Sequence, residues 1–485
     1  MKYFSVLKTF VFFIAILLIG HATHATRFAI VGAGLSGVTA KYLLAKRGFR
    51  AQLFEASDRL GGRVYTHKDY QWGIEVEGGG SFIDRGHRNI IQLAQELGLS
   101  LLELKKEGAQ QRKYFFNNRL IDYKQLYRES LPILREIHYD LATIKNEKKY
   151  FFTGITKKEQ ELDQLSIRTY LTKLGASPLF LELANATQCN ENGRDIDDLN
   201  ALCFLQLIKI DFEKEYFLMD GQLGDEGSQI EGGNSRIIEA LAQTIPKSQL
   251  FFHHRLKKIL RHAQGFQLQF DVQGQEKNFD ADKVIMALPM PILREDVDLS
   301  QEGLLPKELS KLINDLPYAM TYKMVLVFSK PIWRTQDDGM LELMTKDFDL
   351  WESSFNNSAN KNFHLTAYFG GQRALEDNDG NEKVEKVLSV LEKLYPDIRN
   401  YFLGTSPTIH WPTHSLSKGA YAGPAHVGQW QQLELLDKAK AKDIYFVGEQ
   451  WGDTNSLGFM DTAVHSAHRA VQEIILETYA HEKSQ

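Results

Sequence analysis

The sequence predicts an α/β protein of two interleaved domains, one built on a parallel sheet and the other of α+β type. Three observations carry that expectation. A short apolar run, Phe28-Ala29-Ile30-Val31, is followed by a glycine cluster, a helical stretch and a second strand-like run, which together make a β-α-β unit. Similar short runs recur far away, at Val284-Ile285-Met286-Ala287-Leu288 and at Ile444-Tyr445-Phe446-Val447. Between them lie a helix-rich stretch, about 87–225, and a mixed stretch, about 297–407, with β-like runs at Lys323–Phe328 and His364–Phe369. Strands of one sheet at the start, middle and end of a chain require the second domain to be inserted between them.

Composition sets the outer bounds. The 485 residues are 43% hydrophobic and 25% charged, enough for two to four domains at about 100–200 residues each. Lys plus Arg number 57 against 62 Asp plus Glu, a net charge of −5 that offers no basic face for nucleic acid. Two cysteines, Cys189 and Cys203, make no disulfide framework and lack zinc spacing; buried thiols are expected, with one bridge open as the alternative.

Residues 1–25 differ from the rest. Lys2 and Lys8 precede the unbroken apolar run Phe10 to Ile19, and Gly20-His21-Ala22-Thr23-His24-Ala25 supplies small residues for cleavage after Ala22 or Ala25. The run is shorter than the roughly 20 residues needed to span a bilayer. The pattern is that of a secretory signal peptide, giving an exported protein, periplasmic or secreted, with an N-terminal membrane anchor as the alternative. No other stretch reaches spanning length, so a soluble mature chain is expected.

The first strand is apolar throughout, as a central parallel strand buried on both faces must be. Gly32-Ala33-Gly34-Leu35-Ser36-Gly37 then fits G-x-G-x-x-G. Gly32 permits the tight turn, Gly34 lets backbone approach a diphosphate, and Gly37 allows close packing of helix on strand. The helix beginning beside Ser36 offers free N–H groups to the phosphates. It carries Val38, Tyr42 and Ala45 on one side and ends near Lys46-Arg47-Gly48. Ala51 to Phe54 forms the second strand, and Glu55 at its end lies 18 residues after Gly37, where an acid accepts hydrogen bonds from an adenosine ribose. A dinucleotide site follows from that order of elements.

The segments that follow decide which dinucleotide. Glu55-Ala56-Ser57-Asp58-Arg59-Leu60-Gly61-Gly62-Arg63, then Glu77-Gly78-Gly79-Gly80-Ser81, resemble the flavin-containing amine oxidase family of monoamine, polyamine and L-amino-acid oxidases. Tyr445-Phe446-Val447-Gly448-Glu449 resembles that family's late strand and Gly-Glu pair. Gly458-Phe459-Met460-Asp461-Thr462-Ala463 resembles the segment that opens its last helix, whose N-terminus would stabilise charge on a reduced flavin. The resemblance, spread from Phe28 to about Val471, implies a Rossmann-like FAD-binding domain at 26–86, 226–296 and 408–476. It implies a substrate domain at 87–225 and 297–407. FAD is favoured over NAD, and Arg63 is expected to neutralise its diphosphate.

The same resemblance implies the chemistry. Lys323-Met324-Val325-Leu326-Val327-Phe328, with Pro331-Ile332-Trp333 beyond, is similar to the strand whose lysine contacts the flavin N5 through a water, where a cation favours electron transfer to dioxygen. Ser417-Lys418-Gly419-Ala420-Tyr421 resembles the Ser-Gly-Gly-Cys-Tyr stretch of monoamine oxidases. Ala420 replaces the cysteine that bonds the flavin, so dissociable FAD is implied. Tyr421 and Phe459 fall where the family sets two aromatic walls that hold an amine with its α-C–H toward N5. The implied reaction is hydride transfer from the amine to the flavin, then reoxidation by dioxygen to peroxide. L-amino-acid oxidases carry a Met-Arg pair after the second glycine motif; here Gly80-Ser81-Phe82-Ile83 lacks it, and Arg85 nearby reads as a surface residue. A small primary or secondary amine without a carboxylate is therefore expected.

Other features carry less. His465 and His468 lack a carboxylate at ligand spacing, so no metal is expected. Asp377-Asn378-Asp379-Gly380-Asn381-Glu382 lacks the twelve-residue pattern of a calcium loop and reads as a turn before a helix. Asn185-Ala186-Thr187 is a glycosylation sequon by pattern only. Two other functions stay open at this point: a desaturase or isomerase of the same architecture acting on an amine-free substrate, and a flavoprotein whose FAD is structural and whose surface binds a partner.

Overall fold

A computed structural model describes residues 26–484 except 105–111, 145–155, 220–226, 335–340, 355–361, 377–379, 424–425, 439–440 and 453–456. The N-terminal 25 residues and Asp377 to Asp379 thus lie outside the described residues. Five parallel strands form one sheet, in the order Leu250–Phe251, Ala51–Phe54, Phe28–Val31, Lys283–Met286 and Ile444–Phe446. The first strand is apolar throughout because it feeds two cores. Phe28 and Ile30 pack with Val38 and Leu44 of the helix Leu35–Lys46 and with Val464 and Ala467 of the helix Met460–Ser484. Ala29 and Val31 pack on the opposite face with Phe54, Phe270 and Met286. On that face lies an antiparallel sheet of Arg255–His262, Gly265–Val272 and Gln275–Ala281. Phe270 stacks on Phe54 at 4.6 Å between ring centres.

A second sheet of seven strands runs Phe402–Ser406, Thr321–Phe328, Phe363–Gly370, Asp349–Glu352, Glu342–Thr345, Lys113–Phe116 and Arg119–Leu120. The last two belong to a hairpin within the stretch read as helix-rich. That stretch supplies the helices Tyr123–Thr143, Pro178–Asn192 and shorter ones. Period-two alternation decides what each long strand presents. Met324, Leu326, Phe328, Leu365, Ala367 and Leu350 point into a core completed by Val387 and Leu391 of the helix Asn381–Leu394. Lys323, Val325, Val327, Tyr368, Asp349 and Trp351 therefore share the other face. There Val325 and Val327 pack on Ile74 and Val76 of the hairpin Thr66–Asp69 and Ile74–Glu77.

Both cysteines are buried and free. Asn185 to Thr187 lie within a helix, where the Thr187 hydroxyl is buried and donates to Leu183 O, so the sequon is occupied by packing. His465 and His468 lie on the last helix. Among the described residues no helix is long and apolar enough to cross a membrane.

Candidate active site

One cavity of about 470 Å³ runs from the glycine turn to the seven-stranded sheet. At one end Gly32 turns the chain at φ +98, and a Cβ there would stand 2.5 Å from Ala287 O. A Cβ on Gly37 would stand 2.0 Å from Gly32 O, so this glycine seats the helix on the strand and does not line the cavity. Gly34 is different. Its missing Cβ would meet nothing within 4 Å, and it lines the cavity with Leu35 and Ser36 at a helix start that no side chain caps. Those first-turn amides face the space where a diphosphate would lie.

Glu55 lines the same end. Its carboxylate accepts 2.8 Å bonds from the Ala33 N–H, the Ser57 N–H and the Ser57 hydroxyl. About four lone-pair positions are available to a carboxylate, so room for a ribose hydroxyl is left. The second glycine pair packs on the first turn: Gly61 N donates to Ala33 O at 2.8 Å, and a Cβ on Gly62 would be 3.2 Å from Gly34 Cα. These residues fit an adenine dinucleotide: a cradle that a side chain would fill, unpaired helix amides and a ribose acceptor.

Arg63 has a protein partner as well as a place on the cavity wall. Its Nη1 donates to Glu449 Oε1 at 2.6 Å, to Ala420 O at 2.9 Å and to the Tyr318 hydroxyl at 3.1 Å. All three bonds use Nη1, so they are compatible with a diphosphate on the cavity side of the guanidinium. Burial opposes the charge, but Tyr318 and Glu449 overcome it and hold the guanidinium above its ordinary value. Glu449 also accepts from the Tyr318 hydroxyl at 2.6 Å and from Ala422 N at 3.1 Å. The pair thus pins the 420–422 segment that carries Tyr421. Gly448, whose N–H donates to the Ser466 hydroxyl at 2.9 Å, lines the cavity beside it.

The middle of the cavity is the Gly79–Gly80–Ser81 segment. A Cβ on Gly79 would fall 1.9 Å from Arg63 O, and one on Gly80 would fall 3.1 Å from the Met460 side chain. Lys323 does not reach for bulk solvent: its Nζ donates to Gly79 O at 2.6 Å and to the Ser81 hydroxyl, at the cavity wall. Burial pushes the nearby Glu77 carboxyl up to about 7, against bonds from Asn234 and Thr66 and the charge of Lys323.

Beyond it, Lys323 pairs in register with Tyr368, and Tyr368 with Asp349. Phe82, Trp351 and Tyr368 follow in ring contacts of 6.2 and 5.9 Å. The Tyr368 hydroxyl lies 3.2 Å from that of Tyr421, which donates to Glu191 O at 3.1 Å. Burial holds the Tyr421 phenol well above its ordinary value. Phe459 lines the cavity too, its ring 4.9 Å from that of His87, and Met460 and Ala463 follow at the start of the last helix. Glu191, Glu342, Asp349 and Arg112 also line the cavity.

The structure therefore gathers around one cavity every residue expected to bind cofactor or substrate except Gly37. Phe82, Trp351, Tyr368, Tyr318 and Asn234 were missed. The alternation in Asp349–Glu352 and Phe363–Gly370 was the only signal for two of them, and it cannot say which face meets the cavity.

A nucleotide-type parallel sheet beside a mixed seven-stranded one, with a lysine and aromatic walls in the cavity between, is the arrangement of a flavin-dependent oxidoreductase. Residues 35–475 match the profile of the flavin containing amine oxidoreductase family, and the chain belongs to it. It is 23% identical over 472 residues to the flavin-containing amine oxidase B of Homo sapiens, covering 92% of this chain and 85% of that one. It is 24% identical over 483 residues to the L-amino-acid oxidase of Vipera ammodytes ammodytes, covering 92% of each. Among solved structures it resembles cyclohexylamine oxidase from Brevibacterium oxydans IH-35A, with TM-score 0.75 and 19% identity over 94% of this chain and all of that one. It resembles putrescine oxidase bound to putrescine with TM-score 0.73, 19% identity, and 93% and 99% coverage. The fold is that of the FAD-dependent amine oxidases, and the protein is a flavin-dependent oxidoreductase.

Proposed function

We propose that the protein oxidises a small primary or secondary amine with dissociable FAD and dioxygen. The observation that carries this reading is the convergence of Lys323, Tyr421 and Phe459 on the cavity that begins at the Gly34 turn. The adenosine end would be held by Gly32, Gly34, Ser36 and Glu55, and the ring end by the Gly79–Ser81 segment, Gly448, Met460 and Ala463. Bound there, FAD would supply a two-electron acceptor for the amine α-hydrogen and pass the electrons to dioxygen as peroxide, leaving an imine for water to hydrolyse. Tyr421 and Phe459 orient the amine and exclude water. Burial holds the Tyr421 phenol well above its ordinary value, so it serves as a neutral wall rather than as a base. Lys323 holds a positive charge at the cavity wall, where it favours charge developing on reduced oxygen. Ala420, lining the cavity, supplies no thiol for a covalent flavin. The segment up to Ala25 supports export to the periplasm or beyond.

The test is a panel of amines given to purified, FAD-supplied protein. Bleaching without oxygen, peroxide in air and release of flavin on acid precipitation are expected. Amines that leave the flavin oxidised while an amine-free substrate reduces it would overturn the assignment. Lys323→Met should slow reoxidation and leave reduction by amine nearly unchanged.

A further inference from the structure

We infer that Asn234 is a positioning residue for Lys323, acting through the Gly79–Ser81 segment; the inference rests on the role proposed for that lysine. Backbone accounting identifies it. Residues 78–81 belong to no helix or strand, yet four consecutive carbonyls are each held by a side chain from elsewhere. Trp411 Nε1 donates to Gly78 O at 2.8 Å and Lys323 Nζ to Gly79 O at 2.6 Å. Asn234 Nδ2 donates to both Gly80 O, at 2.9 Å, and Ser81 O, at 3.1 Å. One amide thus fixes the two peptides that follow the carbonyl gripped by the lysine, and the second of them carries the Ser81 hydroxyl that the lysine also binds.

The amide is itself immobilised. Asn234 is fully buried, and its Oδ1 accepts the Ile230 N–H at 2.9 Å. A donor on one side and two acceptors on the other permit a single orientation. The backbone adds a further tie, the Asn234 N–H donating to Glu77 Oε1 at 2.8 Å. Asparagine just before a helix normally caps it, but here the side chain makes no cap bond to the helix Ser235–Gln243. Its acceptor is taken by Ile230 N–H instead, which leaves its donors to the segment beneath Lys323. Losing them frees the peptides at 80 and 81 to rotate, and the ammonium loses a fixed pair of acceptors.

Asn234→Asp tests this with nearly the same shape: it retains an acceptor for Ile230 N–H and loses the amide donors. Asn234→Ser, uncharged and too short to span both carbonyls, controls for the added charge and serves if the aspartate variant fails to fold. In the flavin-loaded protein either variant should raise amide hydrogen exchange across 78–83. Each should slow reoxidation of photoreduced flavin by dioxygen about tenfold, with anaerobic reduction by saturating amine changed less than about threefold, since mispositioning affects the step that uses the misplaced group. Unchanged exchange at 78–83, or equal slowing of both half-reactions, would overturn the inference in favour of a packing role. Lys323→Met runs alongside. If it leaves reoxidation untouched, the oxygen role of the lysine fails and this assignment with it. If it slows reoxidation and both Asn234 variants do not, only the Asn234 assignment fails.

Discussion

Adding a methyl group at Gly34 separates cofactor binding from folding. Gly34 has φ −68 and ψ 177, which alanine adopts without strain, and its Cβ would meet no atom within 4 Å. Alanine is a poorer residue than glycine just before a helix, so the folding cost is about 1 kcal/mol or less. The methyl projects into the cavity, where a diphosphate lying against the helix amides would collide with it. Overpacking of that size costs about 1–3 kcal/mol, which is about 5- to 150-fold in FAD dissociation constant. Gly37→Ala is the control of opposite sign. Its Cβ would sit 2.0 Å from Gly32 O, so the helix must shift by more than the about 1 kcal/mol of helix propensity that alanine gains can offset. Titration of FAD by quenching of its fluorescence, beside thermal melting of the flavin-free protein, reads both effects. Gly34→Ala should melt like the parent and bind FAD weakly, and Gly37→Ala should melt early. Parent-like FAD affinity in a folded Gly34→Ala protein would refute the route of the diphosphate over this turn.

Removing one side of the Arg63–Glu449 pair should be expensive, because both side chains are largely buried, 21% and 10% exposed. Glu449→Leu is expected to lose about 3–5 kcal/mol in urea unfolding, and the double variant with Arg63→Leu less than the sum of the singles; strict additivity would show that the pair is not coupled. Glu77, raised by burial from its ordinary 4.5 up to about 7, keeps in the folded state a proton that the unfolded chain has released. Its contribution is full below about pH 4.5 and is lost as pH rises through about 7, so the melting temperature of the parent relative to Glu77→Gln should fall across that window. A constant difference would contradict the burial of this carboxyl. Tyr421→Phe keeps the wall and should retain kcat/KM within about threefold, whereas Tyr421→Ala should lose about tenfold or more if the ring orients the amine. Equal steady-state constants for the two variants would argue against an aromatic wall.

The parts legible in sequence are those whose physical requirement sits in single residues. A turn that needs φ +98 at Gly32 and no Cβ at Gly37 can be written in few ways, and a strand buried on both faces must be apolar throughout, as Phe28–Val31 is. Lys323, Tyr421 and Phe459, which line the cavity, could be singled out because each stands in a short segment with its own resemblance. What stayed hidden depends on register and on partners far away in the chain. Tyr368 matters because it pairs with Lys323 across two strands, and nothing within 363–370 states that pairing. The bond from Arg63 to Glu449 was hidden because its partner lies 386 positions later. The antiparallel sheet at 255–281 was absorbed into the nucleotide domain, although Phe266, Leu268 and Phe270 alternate as a strand with one buried face should. Asn234 escaped because its side chain serves carbonyls more than 150 positions earlier instead of capping its own helix.

These long-range dependencies explain how one cation is placed with so few direct bonds. The strand Thr321–Phe328 sends alternate residues to opposite faces, so burying Met324, Leu326 and Phe328 turns Lys323, Val325 and Val327 the other way. Val325 and Val327 then pack on Ile74 and Val76, the strand that runs directly into Glu77 and the Gly79–Ser81 segment. The lysine and the carbonyl it grips are consequently carried by two strands locked face to face through valine and isoleucine. These β-branched side chains have little rotational freedom at χ1. The ammonium need only bridge a gap that this packing has already set, while Trp411 and Asn234 hold the receiving peptides still. Sliding either strand by one residue would exchange its two faces, burying the lysine and bringing apolar side chains to the cavity wall. The placement of Lys323 and the hydrophobic register are the same constraint, and Asn234 completes it by holding the peptides that follow the carbonyl the lysine grips.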